Sequence, residues 1–289
     1  MKVFCIIVTY NSQKWIEKNI SSIYNNTLGN ELEVDLMIVD NGSEDDTIKI
    51  VRQIFHKVQI IENSRNLGFA KANNMAFDYA LKNNYDYVFL VNHDGWLLSG
   101  FWENVLPVLR NNKDFGLLSP FHYDVSEKEY DFSFKEYLPQ NYNEGRNPIE
   151  ISAINAAFLF ISKDCLIAVK GFDPIFFFYG EDVDLCFRAK KKGFKIGLIK
   201  NAKVVHDRKE RPMTKDRLYE HIIANILIQI KSNNENKYFL KTYSKAIYSS
   251  IILIFKKNNY YKNVSILYLR SIFHLLLNYR KIHQSCKTY

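Results

Sequence analysis

"VFCIIVTYNSQKWIEKNISSIY" occupies Val3–Tyr24. Its first six residues are apolar, and four of them are β-branched. A run of strand length without polar alternation fits a strand covered on both faces, as in a parallel sheet. The period then changes. Ser12 suits an N-cap, and Trp15, Ile16, Ile20 and Ile23 share one helical face. Strand, polar turn and helix form the opening half of a βαβ unit.

Working outward, the pattern recurs. "VDLMIVD" (34–40) reads as a second buried strand, followed by "NGSEDDTIKIVRQI". Ser43 could cap that helix, with Asp46 three residues on approximating a capping box. "VQIIE" (58–62) and "YDYVFLV" (85–91) read as strands on either side of a loop and helix, "NSRNLGFAKANNMAFDYALKN". "AINAAFLFIS" (153–162) and "KIGLIKNAKVVHD" (195–207) read as two more, the last short and reaching His206. Strands alternating with helices predict an α/β fold with a mostly parallel central sheet flanked by helices. In such sheets functional residues lie past the carboxyl ends of the strands. Thr9-Tyr10-Asn11, Asp40-Asn41 and Asn92-His93-Asp94 stand there. Residues 121–150 mix charged, aromatic and turn residues, an irregular excursion that could cover a site.

A chain of 289 residues, 47% hydrophobic and 15% aromatic, can bury a large core. One main domain with an extension is expected. Cys5, Cys165, Cys186 and Cys286 lie far apart without a CxxC, which argues against zinc or disulfide frameworks and suits a reducing cytosol. No signal-peptide pattern opens the chain, and no apolar run approaches the roughly 18 residues of a membrane span. A soluble or membrane-surface protein is therefore expected. From Lys231 onward eleven basic residues face Glu235 alone, a balance of +10 against +8 for the whole chain. The basicity belongs to the tail, and the preceding 230 residues carry −2.

The chemistry-bearing positions each have a plain alternative. Asp94 is a hard oxygen ligand suited to Mg2+ or Mn2+ with phosphates completing the shell, or a member of a turn. His206 is an imidazole ligand or an ordinary surface histidine. Asp40 binds a base or ribose, or closes an Asx-turn. "FFFYGEDVDLCFRAKKKGFKIG" (176–197) puts Glu181, Asp182 and Asp184 in a first helical turn, where free N–H groups favour acids. Asp184 could pair with Arg188 at i, i+4. An acid beside an aromatic-lined pocket also suits general-base work.

Taken together, "VTYNSQKWIEKNISSI", "IVDNGSEDDT", "RNLGFAKANN", "FLVNHD" and "FFFYGEDVDLCFRAKKKGFKI" resemble, in order and spacing, the family 2 glycosyltransferases, which have the GT-A fold. The resemblance covers about residues 1–210, and the look-alikes are bacterial rhamnosyltransferase-like enzymes of surface polysaccharide synthesis. It implies a catalytic domain over 1–212 and leaves 213–289 as a basic amphipathic helical region. It also implies site roles. Thr9, Tyr10 and Asn11 would line the nucleotide pocket, Asp40 would meet the base, and Asn66, Gly68 and Lys71 would lie along the nucleotide and phosphates. Asn92 would border the donor. Asp94 and His206 would hold Mn2+ or Mg2+, and Asp182 would be the catalytic base with Glu181 as its fallback. The family's metal motif often begins with Asp. Here it reads Asn92-His93-Asp94, leaving one carboxylate and His93 as a further candidate.

The implied activity is inverting transfer from a UDP- or dTDP-sugar to a glycan or lipid-linked glycan hydroxyl at the inner face of the cell membrane. The competing functions are a sugar nucleotidyltransferase, disfavoured by the lack of a Gly-rich basic loop near the N-terminus, and a non-catalytic membrane-associated scaffold. The tail, with "HIIANILIQI", "YSSIILIFKKNNYYK" and "SILYLRSIFHLLLNYRK", is read as a packed cap, a homodimer surface or a binder of anionic membrane. No nucleic-acid motif accompanies it.

Overall fold

The computed structural model describes residues 1–25, 31–140, 142, 146–208, 214–232, 248 and 259–286, with side chains in the last segment from Val264 onward. Contacts divide the chain into two units. The first comprises Met1–Phe172 and Leu185–Glu210, and the second Asp173–Asp184 and Arg211–Tyr289.

The first unit is built on one sheet. Its strands are β1 (Lys2–Thr9), β2 (Glu33–Asp40), β3 (Gln59–Glu62), β4 (Tyr87–Val91), β5 (Gly95–Leu97), β6 (Phe115–Tyr123), β7 (Ile149–Ile151), β8 (Phe158–Ser162) and β9 (Lys195–His206). The order is β3-β2-β1-β4-β8-β6-β9-β5, with β7 also paired to β9. The pairs β3–β2, β2–β1 and β1–β4 are parallel, as is β6–β9. Antiparallel pairs join β8 to β4 and β6, and β5 and β7 to β9.

Helices α1 (Ile16–Tyr24), α2 (Thr47–Ile54), α3 (Phe69–Lys82), α4 (Phe101–Asn111) and α5 (Lys163–Val169) cover this sheet. Strand periodicity explains the unbroken apolar run of β1. Val3, Cys5 and Ile7 face a core shared with Ile16, Ile20, Ile23 and Val51 of α1 and α2. Phe4 and Ile6 face the opposite core, against Ala72, Ala76 and Phe77 of α3.

Several expectations need correction. β5, β6 and β7 were not foreseen, the strand sought over 153–162 begins at Phe158, and β9 is 12 residues long rather than short. Neither proposed N-cap acts as one. α1 begins after Trp15 and α2 after Asp46, without a side-chain cap bond in either case. The Ser12 hydroxyl meets His93 and the Tyr10 amide, and the Ser43 hydroxyl meets Asp40 and the Asn11 amide. Gly95 both closes a turn, its amide donating to the Asn92 carbonyl (3.3 Å), and opens β5. A Cβ there would stand 2.3 Å from the Phe158 ring and 2.4 Å from the Val205 carbonyl oxygen. The missing side chain lets β5 lie against β9, which sets Gly95 opposite His206.

The second unit is helical. Helix α6 (Glu181–Lys191) contributes its first turn, followed by α7 (Lys215–Ser232), α8 (Asn259–Leu277) and α9 (Tyr279–Cys286). Phe176 joins Ile222, Ile226, Leu227 and Ile230 of α7, Leu275 of α8 and Ile282 of α9 in a separate core. This unit includes Asp173–Asp184, which the sequence reading had assigned to the first domain. Most of "YSSIILIFKKNNYYK", and with it Lys256 and Lys257, lies outside the described residues. No described helix is long and apolar enough to cross a membrane.

Candidate active site

The loops that follow β1, β2 and β3 are knitted together at the carboxyl end of the sheet. Asp40 ends β2 and is 3% exposed. Thr9 Oγ1 (2.7 Å) and Ser43 Oγ (2.5 Å) donate to its Oδ1, and the Gly42 (3.1 Å) and Ser43 (2.8 Å) amides donate to its Oδ2. An ionised carboxylate offers about four lone-pair positions, so Asp40 is filled by its own chain. The Asx-turn reading holds, and the buried Thr9 serves that turn. Asn11 has a left-handed backbone, φ 53°. Its amide donates to Ser43 Oγ (2.9 Å), and its Oδ1 accepts from the Glu44 amide (2.9 Å). Tyr10 beside it is 46% exposed.

Asn41 reaches the third loop. Its Oδ1 accepts from Asn63 Nδ2 (3.3 Å) and the Leu67 amide (3.4 Å). Asn66 Oδ1 accepts from the Gly68 amide (2.9 Å), and Gly68, at φ 84°, starts α3. Lys71 is exposed in the first turn of α3. Thus Thr9, Tyr10, Asn11, Asp40, Asn66, Gly68 and Lys71 all sit in or beside one loop cluster.

The second group lies where β4 ends. The Asn92 amide donates to the Ala157 carbonyl (2.8 Å), and Asn19 of α1 donates to the carbonyls of Asn92 (2.8 Å) and Gly95 (2.5 Å). Ser12 Oγ and His93 Nδ1 share a hydrogen bond (2.5 Å). Asp94 is 3% exposed and His206 4% exposed, with His206 Nε2 3.2 Å from Asp94 Oδ1. Asn92 Nδ2 stands 3.4 Å from the same nitrogen. Next in the chain, Asp207 accepts from Lys14 Nζ (2.7 Å) and Trp15 Nε1 (2.7 Å). His206 is therefore a buried group facing a carboxylate, not a surface histidine.

Two buried residues from β6 and the irregular excursion complete this group. Asp131 Oδ2 lies 3.8 Å from His206 Nδ1, while Asp131 Oδ1 accepts from Ser133 and the Phe134 amide. His122 stacks on Phe134 with ring centroids 4.7 Å apart and meets Ser119 Oγ at 3.0 Å. Burial first, then the neighbouring His206, holds its imidazole well below the usual histidine range. Sequence reading missed Asp131, His122 and Asn19. Their contacts to this group, Asp131 and His122 with His206 and Asn19 with the Asn92 and Gly95 carbonyls, join residues far apart in the chain.

The acid-rich stretch belongs to the second unit. Phe176 is buried, and Phe177 and Phe178 are 47% and 41% exposed. Asp182 is half-buried, and its Oδ1 accepts from the Val183 amide (2.8 Å). Glu181 is 9% exposed, with Oε2 lacking a hydrogen-bond partner. Burial first, then the charge of Asp182, pushes its carboxyl up to about 8. Asp184 faces Lys231 Nζ at 2.8 Å.

The sequence profile described as glycosyl transferase family 2 matches residues 4–167, more than half of the chain. The chain belongs to that family. Among curated family relatives, the dTDP-rhamnosyl transferase RfbF of Shigella flexneri is 24% identical over 71% of this chain and 68% of its own length. The N-acetylglucosaminyl-diphospho-decaprenol L-rhamnosyltransferase of Mycobacterium tuberculosis is 26% identical over 70% of this chain and 74% of its own. An uncharacterized glycosyltransferase of Mycoplasma genitalium is 33% identical, over 39% of this chain and 28% of its own length.

The fold of this family 2 chain is GT-A. The S. aureus TarS 1-349 crystal structure matches all of it and 89% of that chain, with a TM-score of 0.62 at 16% identity. A mannosyltransferase from Pyrobaculum calidifontis, in complex with GDP-Man and Mn2+, matches 95% of it and 86% of that chain, with a TM-score of 0.60 at 13% identity.

Asp94 and His206 are chemically suited to a divalent cation. One buried carboxylate oxygen and one imidazole nitrogen stand at a distance that one ion can bridge, and the Asp131 carboxylate faces the distal imidazole nitrogen, as carboxylates behind ligating histidines do. Among the described residues, no group of three or more His, Cys, Asp or Glu forms a full cage. Two protein ligands would leave the remaining positions to phosphate oxygens and water.

Proposed function

We propose that this chain transfers a sugar from a UDP- or dTDP-linked donor to a hydroxyl of a glycan or lipid-linked glycan, with inversion at the anomeric carbon. The observation that carries the proposal is the buried Asp94–His206 pair at the end of β4 and β9, in a family 2 fold. Two curated relatives bear rhamnosyltransferase names, which favours a deoxyhexose donor. Family membership also favours transfer over the nucleotidyltransferase alternative.

Asp94 and His206 would hold Mn2+ or Mg2+, and the bound ion would stabilise negative charge on the leaving diphosphate as a Lewis acid. The chain's own residues do the rest. Asp40 positions the turn over residues 40–43 rather than reading the base. Exposed Tyr10 and Asn11 border the nucleotide. Lys71 and the amides opening α3 suit phosphate oxygens, since a helix N-terminus favours anions. Asp182 takes the acceptor proton. Glu181 is the poorer base, because a carboxyl raised to about 8 is mostly protonated near neutrality.

The test is nucleotide release across a panel of dTDP- and UDP-sugars, with dTDP-rhamnose expected to be turned over fastest. Asp182→Asn should lower turnover about 10²–10⁴-fold, the range for general-base catalysis, while calorimetry still records nucleotide binding. Full activity in that variant removes Asp182 from the mechanism.

The reading extends to an anionic membrane surface at the inner face of the cell membrane. On α8, Ile266, Leu269, Phe273, Leu276 and Leu277 form one exposed stripe, with Phe273 63% and Leu277 72% exposed. Arg270, Arg280 and Lys281 lie near it in the chain, the combination that binds anionic headgroups. Phe273→Asp with Leu277→Asp should reduce sedimentation with phosphatidylglycerol vesicles several-fold. Unchanged sedimentation, or loss of a dimer instead, assigns the stripe to protein packing.

A further inference from the structure

We infer that Lys231 is a positioning residue for the proposed catalytic base, an inference that rests on the role given to Asp182. Its ammonium draws Asp173 and Asp184 together and so fixes the turn that carries Glu181 and Asp182.

Lys231 is 0% exposed. Lysine is almost never fully buried unless its charge is matched. Here Nζ meets Asp173 Oδ2, stands 2.8 Å from Asp184 Oδ1 and donates to Ser285 Oγ at 2.8 Å. Ser285 in turn donates to Asp173. The ammonium also lies 5.4 Å from the Phe176 ring centroid. The two carboxylates bracket the stretch from 173 to 184, so one buried cation ties both of its ends to α7, and Ser285 adds α9.

Other contacts from α7 reach the same stretch. The His221 ring stacks on Tyr179 at 3.7 Å between centroids. Gly180 has φ 85°, and a Cβ there would meet Ile228 at 3.1 Å and Ala224 at 3.2 Å. Residues 221, 224, 228 and 231 recur at three- and four-residue steps, so they form one stripe of α7. That stripe packs on the turn by ring stacking, by close contact at a glycine and by charge. The Asp184 amide donates to the Gly180 carbonyl (2.9 Å), which closes the first turn of α6 beneath Glu181 and Asp182. Catalytic groups must be held within fractions of an ångström, and misplacement by about 1 Å can cost 10²-fold in rate.

The charges around this point define a readout that a purely structural role would not move. The cluster comprises Asp173, Asp184, Lys231, Ser285 and Cys286, and Glu181 feels the charges of Asp182 and Asp184. Without the ammonium, Asp184, two residues from Asp182 in the first turn of α6, loses its Lys231 counter-charge, and a like charge nearby raises the pH at which a carboxyl ionises.

The experiment compares the wild-type chain with Lys231→Met, Lys231→Arg, Asp182→Asn and the neutralised triple variant Lys231→Met/Asp173→Asn/Asp184→Asn. Lys231→Met should lower kcat at least tenfold with donor KM within twofold. It should also move the acid limb of the pH–kcat profile upward and raise hydrogen exchange at the amides of residues 182–184 about tenfold. Lys231→Arg should recover part of kcat, and the triple variant should return the acid limb to its wild-type position. If Lys231→Met does not fold, as judged by circular dichroism, Ser285→Ala carries the test with a smaller shift in the same direction. Unchanged kcat, profile and exchange, with Asp182→Asn inactive, overturn the positioning role alone. Full activity in Asp182→Asn overturns the base assignment, and the exchange result then decides the positioning of the turn independently.

Discussion

Asp40 and Asp184 are 3% and 1% exposed, yet the two regions hold their carboxylates by different means. Around Asp40 every donor is neutral. Gly42 and Ser43 follow it directly, and Thr9 comes from the adjacent strand paired in register at Thr9–Asp40. Asp184 faces a buried ammonium 47 residues further along the chain. Neutral local donors make a turn whose geometry depends on short-range chain conformation. A buried cation makes a turn that depends on a helix folding in the right place, because an unpaired charge there is costly. The same difference separates the loop proposed to border the nucleotide from an acid-bearing turn sensitive to charge.

The largest effect expected from this contrast is at the neutral cluster. Asp40→Ala leaves two hydroxyls and two amides without their acceptor, so it should cost about 3 kcal/mol or more in urea unfolding. Because the lost partners are neutral, that cost should stay level between pH 6 and 9. A cost below about 1 kcal/mol, on the scale of one ordinary hydrogen bond, breaks the contrast by showing that the turn holds without its carboxylate.

A smaller effect is expected at Glu181, which sharpens the contrast because, among the described residues, no cation is placed against it. Burial, then the charge of Asp182, raises its carboxyl to about 8 from an ordinary 4.5. A folded-state value above the unfolded one means that stability present at low pH is lost as pH rises toward 8. Glu181→Gln should melt with the wild type near pH 4 and gain over it as pH rises. The gain should reach roughly 1–2 kcal/mol by pH 9, below the full linkage of 1.4 kcal/mol per unit. Parallel melting curves across that range place Glu181 in water.

Much of the first unit is legible in the chain itself. β1 to β4 announce themselves as apolar runs because both faces are buried, and Asp40, Asp94 and His206 stand at strand ends where a sheet of this kind gathers function. β5 and β7 are three residues each, too short for a period to show. Ser12 and Ser43 look like caps, because capping is the nearest use for a serine before a helix. Their hydroxyls instead bond His93, Asn11 and Asp40. Lys231 reads as one of many basic tail residues, since nothing nearby in the chain reveals two aspartates meeting it.

By itself the sequence determined the alternation of strands and helices, the family and the cluster of polar loops, because periodicity and short-range turn chemistry are written along neighbouring residues. The tertiary structure decided which acid is buried and raised, which histidine meets which carboxylate, and that a tail lysine grips the acid-bearing turn. Those outcomes depend on burial and on distances between residues far apart in the chain. They exist only once the sheet and the helices have closed around the groups.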